Sequence, residues 1–415
     1  MKKKYLVLGL FAVSSAYGLG QKTVNPYTKK KISRSTVEIV YSQYVQDGNH
    51  SAVTGGIGTE VLQVYSPEII VRKETDSVKT FTFDIGVDVV SSASTDRIDF
   101  VLSSVSKRDG HGYISLGYDR KLNKHRNITL GGTLNSSLES DYLSFGGSFF
   151  TTIISSDQSK EFSAQLEAFF DDLRWGRLNG VRPLRLVYPE ELRYRDWYNT
   201  DFRKSFNISL GFKQTINKRM LAGFFPGIEY QKGLLATPFH RVFFTNDSVR
   251  VEHFPSQRLK IPIGIQLNSF LGNRFILKNY YRFYWDDFGI TAHTFNTELG
   301  IKMSPGITLT PLLRVYTQKG SSFFRSYKQH DPSEKFYTSD YDLSAFSSFE
   351  AGVEARFSGM GKPGVVTQLN TIGLRYSYYD RSDGLYAHII TAVFGLFTVK
   401  EKTSGENMNP GQYPY

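Results

Sequence analysis

Apolar and polar residues alternate along this chain with a period of two. Leu259, Ile261, Ile263, Ile265 and Leu267 share one face of an extended segment, and Lys260, Pro262, Gly264, Gln266 and Asn268 share the other. Phe81, Phe83, Ile85, Val87 and Val89 stand likewise against Thr82, Asp84, Gly86 and Asp88. Phe349, Val353 and Phe357 oppose Glu350, Glu354 and Arg356. Such alternation is the signature of β-strands with unlike faces. A soluble sandwich would alternate in the same way, so strand length has to discriminate. The alternating segments, from 35–45 and 59–71 through to 366–379 and 385–398, are long. They match the roughly 9–11 residues needed to cross hydrocarbon better than the average of about five or six in soluble sheets.

The connections between segments sort by length. Long ones fall near 46–58, 92–109, 172–202, 231–256 and 319–343, all at odd-numbered positions in the strand order. The tightest turns, Asn217-Lys218, Gly272-Asn273 and Ser304-Pro305-Gly306, fall at even positions. One set of connections therefore lies at one end of the strands and the other set at the opposite end. The pattern predicts an all-β fold: a transmembrane antiparallel up-and-down β-barrel of about 16 strands, with short periplasmic turns and long extracellular loops. Strand prolines at 67, 226, 262 and 311 lack a ladder N–H and predict bulges or kinks. Aromatic clusters at Tyr280, Tyr281, Tyr284 and Trp285, and at Tyr376, Tyr378 and Tyr379, read as interfacial belts.

Composition agrees with export. Lys2, Lys3 and Lys4 precede an apolar stretch from Tyr5 to Val13, followed by the small residues Ser14, Ser15, Ala16 and Gly18. This predicts a signal peptide over 1–20, a barrel over 21–400 and a periplasmic tail over 401–415. The stretch is shorter than the ~20 residues of a membrane-spanning helix, and no later apolar run approaches that length. The 415 residues include no cysteine, which excludes a disulfide framework and a lipoprotein anchor. The net charge of +11 suits anionic membrane surfaces, and no nucleic-acid motif is present. Outer-membrane lipid and lipopolysaccharide are the expected partners.

Inward-facing candidates are Asp84, Asp88, Lys260, Lys278, Arg282, Glu298, Arg314, Glu350, Glu354, Arg356 and Arg375. Both signs occur, so pairing across strands or against an inserted loop is expected, with a constricted or loop-plugged lumen as the first reading and an open general porin as the second. At the outer rim, the stretch from Asp47 to Glu60 combines glycines, which permit positive φ and close backbone approach, with Asp47, His50 and Glu60. The next loop adds Asp96, Asp99, Asp109 and His111. These residues are candidates for a polar ligand or a divalent cation, although their spacing fits no established metal motif. No other cofactor is called for. A further loop carries Arg174, Trp175, Arg177, Arg182, Arg185, Arg193, Arg195 and Trp197, suited to phosphate or flat ligands unless its own acids pair with it. The histidines show no catalytic spacing, so no enzyme is expected.

Four segments carry a family likeness: Asp47-Gly48-Asn49-His50-Ser51-Ala52-Val53-Thr54-Gly55-Gly56, Val90-Ser91-Ser92-Ala93-Ser94-Thr95-Asp96, Tyr284-Trp285-Asp286-Asp287-Phe288-Gly289-Ile290 and Arg381-Ser382-Asp383-Gly384-Leu385. The chain resembles the domain-of-unknown-function family 3570 of outer-membrane barrels. That resemblance implies genomic association with a flavin transferase, a thioredoxin-like protein and a small lipoprotein, and hence envelope redox chemistry. The chain has no flavin-attachment motif of its own, so a flavin or electron carrier would belong to a partner. The functional expectation is an outer-membrane conduit for a small solute or peptide, constricted rather than wide. The alternatives are a scaffold for a periplasmic or surface redox lipoprotein, and a barrel that anchors lipopolysaccharide.

Overall fold

The structure, a computed structural model, describes residues 31–92, 108–122, 127–139, 142–173, 202–237, 240–359 and 367–402. Its strands are β1 (Lys31–Asp47), β2 (Leu62–Thr75), β3 (Lys79–Ser92), β4 (Arg108–Lys121), β5 (Ile128–Glu139) and β6 (Tyr142–Ile154). Next come β7 (Lys160–Asp172), β8 (Phe202–Asn217), β9 (Met220–Gly233), β10 (Arg241–Phe243), β11 (Val249–Val251) and β12 (Gln257–Leu271). The last are β13 (Phe275–Asp286), β14 (Thr291–Ser304), β15 (Ile307–Lys319), β16 (Phe346–Ser358), β17 (Thr367–Arg381) and β18 (Tyr386–Lys402).

All but β10 and β11 form a closed antiparallel ring in the order β1-β18-β17-β16-β15-β14-β13-β12-β9-β8-β7-β6-β5-β4-β3-β2. Pairing of β1 with β18, from Lys31 opposite Lys402 to Asp47 opposite Tyr386, closes it. Closure gives every strand two hydrogen-bonded neighbours, which is the condition for a sheet to lie in lipid. The ring contains the sixteen strands that the alternation predicted. Its last strand ends at Lys402, two residues beyond the expected barrel boundary.

Period-two geometry assigns the faces. Ile39, Ile69, Phe81, Ile85, Leu116, Phe149, Leu166, Phe212, Phe224, Ile265, Phe295, Val315, Phe349, Leu374 and Phe394 are exposed on the outside and form an apolar belt. In water such a belt would be untenable; against hydrocarbon it is the stabilising surface. The protein is a transmembrane β-barrel. Leu166 lies midway along β7 and is 53% exposed. Leu166→Arg should therefore cost ~2–4 kcal/mol, because the guanidinium would face the hydrocarbon. Urea unfolding in lipid vesicles measures this, and an unchanged midpoint would put β7 outside the membrane.

Two expectations need correction. The prolines do not produce bulges. Pro67 pairs with Tyr41, Pro226 with Ile263, Pro262 with Tyr284 and Pro311 with Val353. Pairing lapses briefly toward the other neighbouring strand and then resumes in the same register. The missing N–H thus costs the ladder on one side only. Register shifts occur instead at the end of the barrel that holds the Asn217-Lys218 and Gly272-Asn273 turns, between Lys302 and Ser304, Leu369 and Thr371, and Thr215 and Asn217. The aromatic clusters also divide between faces, since adjacent strand residues point opposite ways. Trp285 and Tyr376 face outward, whereas Tyr284 bonds to lumenal Asp286 and Tyr280 packs over Gly264.

Candidate functional site

Described loops that follow odd-numbered barrel strands form a cap at one end. Loops after five strands build it: 48–61, 234–237 with 240–256 (which contains the β10–β11 hairpin), 287–290, 320–345 and 382–385. Its apolar core joins Leu234, Ala236, Phe254 and Phe288 to Phe323 and Leu343, and a second cluster unites Val242, Phe244 and Tyr337. Backbone hydrogen bonds tie the loops together: His253 and Tyr337 exchange a pair at 3.1 and 2.9 Å, and the Thr245 N–H donates to the His330 carbonyl at 2.9 Å.

The glycines after β1 make the crossing contact. Gly55 and Gly56 have φ of 79° and 85°, in the left-handed region that favours glycine. A Cβ on Gly55 would lie 2.5 Å from the Phe243 ring, and one on Gly56 would lie 2.8 Å from the Ser339 carbonyl oxygen. His50 stacks on Tyr341 at 3.7 Å, and its Nδ1 lies 3.0 Å from the Gly56 carbonyl. In the ring order β1 and β9 stand eight places apart, on opposite walls of a sixteen-strand barrel. Loops rooted on opposite walls therefore meet over the mouth. Strand ends anchor the assembly: Arg381, closing β17, donates to Asp342, to Asp383 and to the Tyr341 carbonyl, and its guanidinium lies 4.0 Å above Phe346. Gln46, near the end of β1, donates to the Glu60 carbonyl at 3.1 Å.

The rim residues predicted from sequence take separate partners. Asp47 accepts from the Tyr386 hydroxyl at 3.1 Å, His50 joins the cap, and the Glu60 N–H donates to the Gly48 carbonyl at 2.7 Å. His111 lies in β4, where its Nδ1 is 3.0 Å from Asp88, so a rim candidate and a lumen candidate form one pair in the wall. Asp109 is also in β4. Asp96, Asp99 and the basic-aromatic set Arg174, Trp175, Arg177, Arg182, Arg185, Arg193, Arg195 and Trp197 lie outside the described residues.

The lumen candidates share the inward face. A ladder runs from Lys278 to Glu298 (3.3 Å), from Glu298 to Arg375 (3.7 Å) and on to Glu354, which also holds Arg356 at 2.8 Å. It links β13, β14, β16 and β17. Lys260 pairs with Glu229 at 3.7 Å, and Arg314 stands opposite Glu350 in the β15–β16 register. Arg282 has Gly264 and Thr294 as its cross-strand neighbours and no carboxylate directly beside it. Its strand, β13, lies eight places around the ring from β3, which carries Asp84 and Asp88; Glu68 is next to them on β2. Acids and guanidinium therefore stand on opposite walls of the bore.

Sequence reasoning missed one cluster entirely. His240, Glu252 and Asp340 are each at most 4% exposed inside the cap, and among the described residues they form a group whose ligand atoms lie within 4.8 Å of one another. His240 Nδ1 stands 3.5 Å from a Glu252 carboxylate oxygen and 3.8 Å from Asp340 Oδ2. The Thr237 N–H and the Thr338 hydroxyl donate to Glu252 at 2.8 and 2.7 Å. Burial pulls the His240 imidazole below its ordinary value. Burial also pushes Glu252 up, but His240 beside it and these two hydrogen bonds more than offset that and hold it low. Asp340 is driven well up, by burial first and then by the charges of Asp342 and Glu252. Two loops far apart in sequence supply the three residues, so no local spacing could have announced them.

Fold and lumen define a membrane-spanning barrel with a charged interior and a folded mouth. The family model described as "Protein of unknown function (DUF3570)" matches residues 101–388, and the chain belongs to that family. The likeness at Tyr284–Ile290 and Arg381–Leu385 falls within the match, and the two earlier segments lie before it. No curated protein matches the sequence. Among solved structures the chain is similar to the outer membrane protein opdK from Pseudomonas aeruginosa, with 9% identity over 88% of this chain and 99% of that one, at a TM-score of 0.39. It is similar also to a BenF-like porin from Pseudomonas fluorescens Pf-5, with 8% identity over 87% and 98% and a TM-score of 0.41. At such scores the barrel assignment rests on this chain's own strand order.

Proposed function

We propose that this protein is an outer-membrane channel for a small polar solute, with its entrance constricted by the cap. The observation that carries this reading is the meeting, at Gly55 and Phe243, of loops rooted on opposite walls. A barrel of this strand number is wide enough for an aqueous bore. The cap narrows its mouth, and the transverse arrangement of Arg282 against Glu68, Asp84 and Asp88 favours solutes that carry both signs or a strong dipole. Single-channel recording in planar bilayers tests the proposal. Discrete openings are expected, and a membrane-inserted barrel that never conducts would exclude it.

The lining gives a second measurement. Arg282→Glu should shift the reversal potential in a salt gradient toward cation selectivity, because it replaces a lumenal cation that has no carboxylate as a direct cross-strand neighbour. The same substitution at Lys213, which is already paired with Glu161 at 2.9 Å, serves as the comparison. Equal shifts from both variants would remove the special role of Arg282.

A further inference from the structure

We infer that His240, Glu252 and Asp340 form a binding site for one divalent transition-metal ion, which staples the β9–β12 loop to the β15–β16 loop within the cap. The first argument is geometric. One imidazole nitrogen and two carboxylate oxygens converge with separations of 3.5 and 3.8 Å from His240 Nδ1 to its two acidic neighbours. Ligands at about 2.0–2.2 Å from a tetrahedral ion stand roughly 3.4 Å apart, so each acid need approach His240 Nδ1 by only a few tenths of an ångström, and all three ligand atoms already lie within 4.8 Å of one another. Three protein ligands would leave a fourth position for water or solute.

The second argument is an unanswered buried group. Asp340 Oδ1 accepts the Asp342 N–H at 2.9 Å, whereas Oδ2 is buried and has no hydrogen-bond partner while pointing toward His240. A buried carboxylate oxygen without a donor is costly. A dication would answer it, and would also balance the charges of Glu252 and Asp340 around a neutral imidazole.

The third argument is that the ligands are already oriented. The Thr338 hydroxyl and the Thr237 N–H fix Glu252, and Asp342 fixes Asp340. Such outer contacts are what hold metal ligands in place. A site of one imidazole and two carboxylates, buried and small, suits zinc and its transition-metal neighbours; calcium prefers six to eight oxygens.

The test uses the full barrel, folded in detergent and stripped with a chelator. Zinc is titrated by calorimetry, and cobalt serves as an absorption probe. One equivalent of zinc per chain is expected to bind, weakened about 100-fold or more by His240→Ala and by Asp340→Asn. Asp340→Asn retains an acceptor for the Asp342 N–H, and heat-modifiable gel migration verifies that each variant forms the barrel. Zinc should also slow proteolysis within 234–256 in the wild type and not in the variants. A wild-type barrel that takes up no zinc overturns the proposal, as do variants that bind like wild type. Because the wild-type titration decides the matter alone, a variant that fails to fold cannot rescue the idea. Conductance is a separate readout, so the channel reading stands or falls apart from this one.

Discussion

Gly56→Val should open the mouth of the barrel and raise single-channel conductance about twofold or more, since the narrowest section of a pore dominates its resistance. Gly56 occupies φ 85°, which a β-branched side chain adopts only with strain. Its new Cβ would also lie 2.8 Å from the Ser339 carbonyl oxygen and 3.0 Å from the Tyr341 ring. Both the backbone and the neighbouring loop must move, and the movement pulls the 48–61 loop away from 320–345. The stack of His50 on Tyr341 would separate with it. Replacing residues 241–251 with a Gly-Ser linker removes the other side of the bridge and should act in the same direction. Barrel strands and lumen charges are untouched by either change, so ion selectivity should alter less than conductance. If both variants conduct as wild type does, the cap is not the resistance of the pore.

Asp286→Ala is expected to cost ~3–5 kcal/mol, the largest single loss among these predictions. Asp286 has no solvent exposure and closes β13 at the tight hairpin into β14. It accepts from the Arg258 guanidinium, with Nε at 3.1 Å, from the Tyr284 hydroxyl at 2.9 Å and from the Ile290 N–H at 2.9 Å. Arg258 in turn lies 4.6 Å over Phe288, one of the buried residues of the cap core. Removing the carboxylate leaves a cation, a hydroxyl and an amide N–H without their acceptor in a place water reaches poorly. Asp286→Asn keeps one acceptor oxygen and should cost less, about 1–3 kcal/mol. Equilibrium unfolding in urea, followed by tryptophan fluorescence and gel migration, ranks the two. Equal stability of Asp286→Ala and wild type would mean that Arg258 is solvated without its partner.

Sequence and tertiary structure decided different things. Strand number, face assignment and the segregation of long from short connections were written in the alternation, because a side-chain period of two and a lipid-facing exterior leave little freedom. The lumen charges could be named for the same reason: Asp84, Arg282 and Glu354 each lie between two outward apolar or aromatic neighbours. The glycines at 55 and 56 could be read as sites of positive φ and close approach, but nothing local said that Phe243 and Ser339 would be the groups approaching. Where two aromatics adjoin, as at Tyr280 and Tyr281, composition suggested a belt and the pleat divided it between lumen and lipid. The family belonging was legible from short segments, three of which carry glycines at positive φ: Gly55 and Gly56, Gly289, and Gly384. What only the fold decided is the mouth. Loops rooted eight strands apart meet there, and His240, Glu252 and Asp340 come together there from the β9–β12 and β15–β16 loops. Alternation reports the environment of each residue along its own strand. It carries no information on which distant loop will lie across the bore, because that is fixed by the closure of the ring.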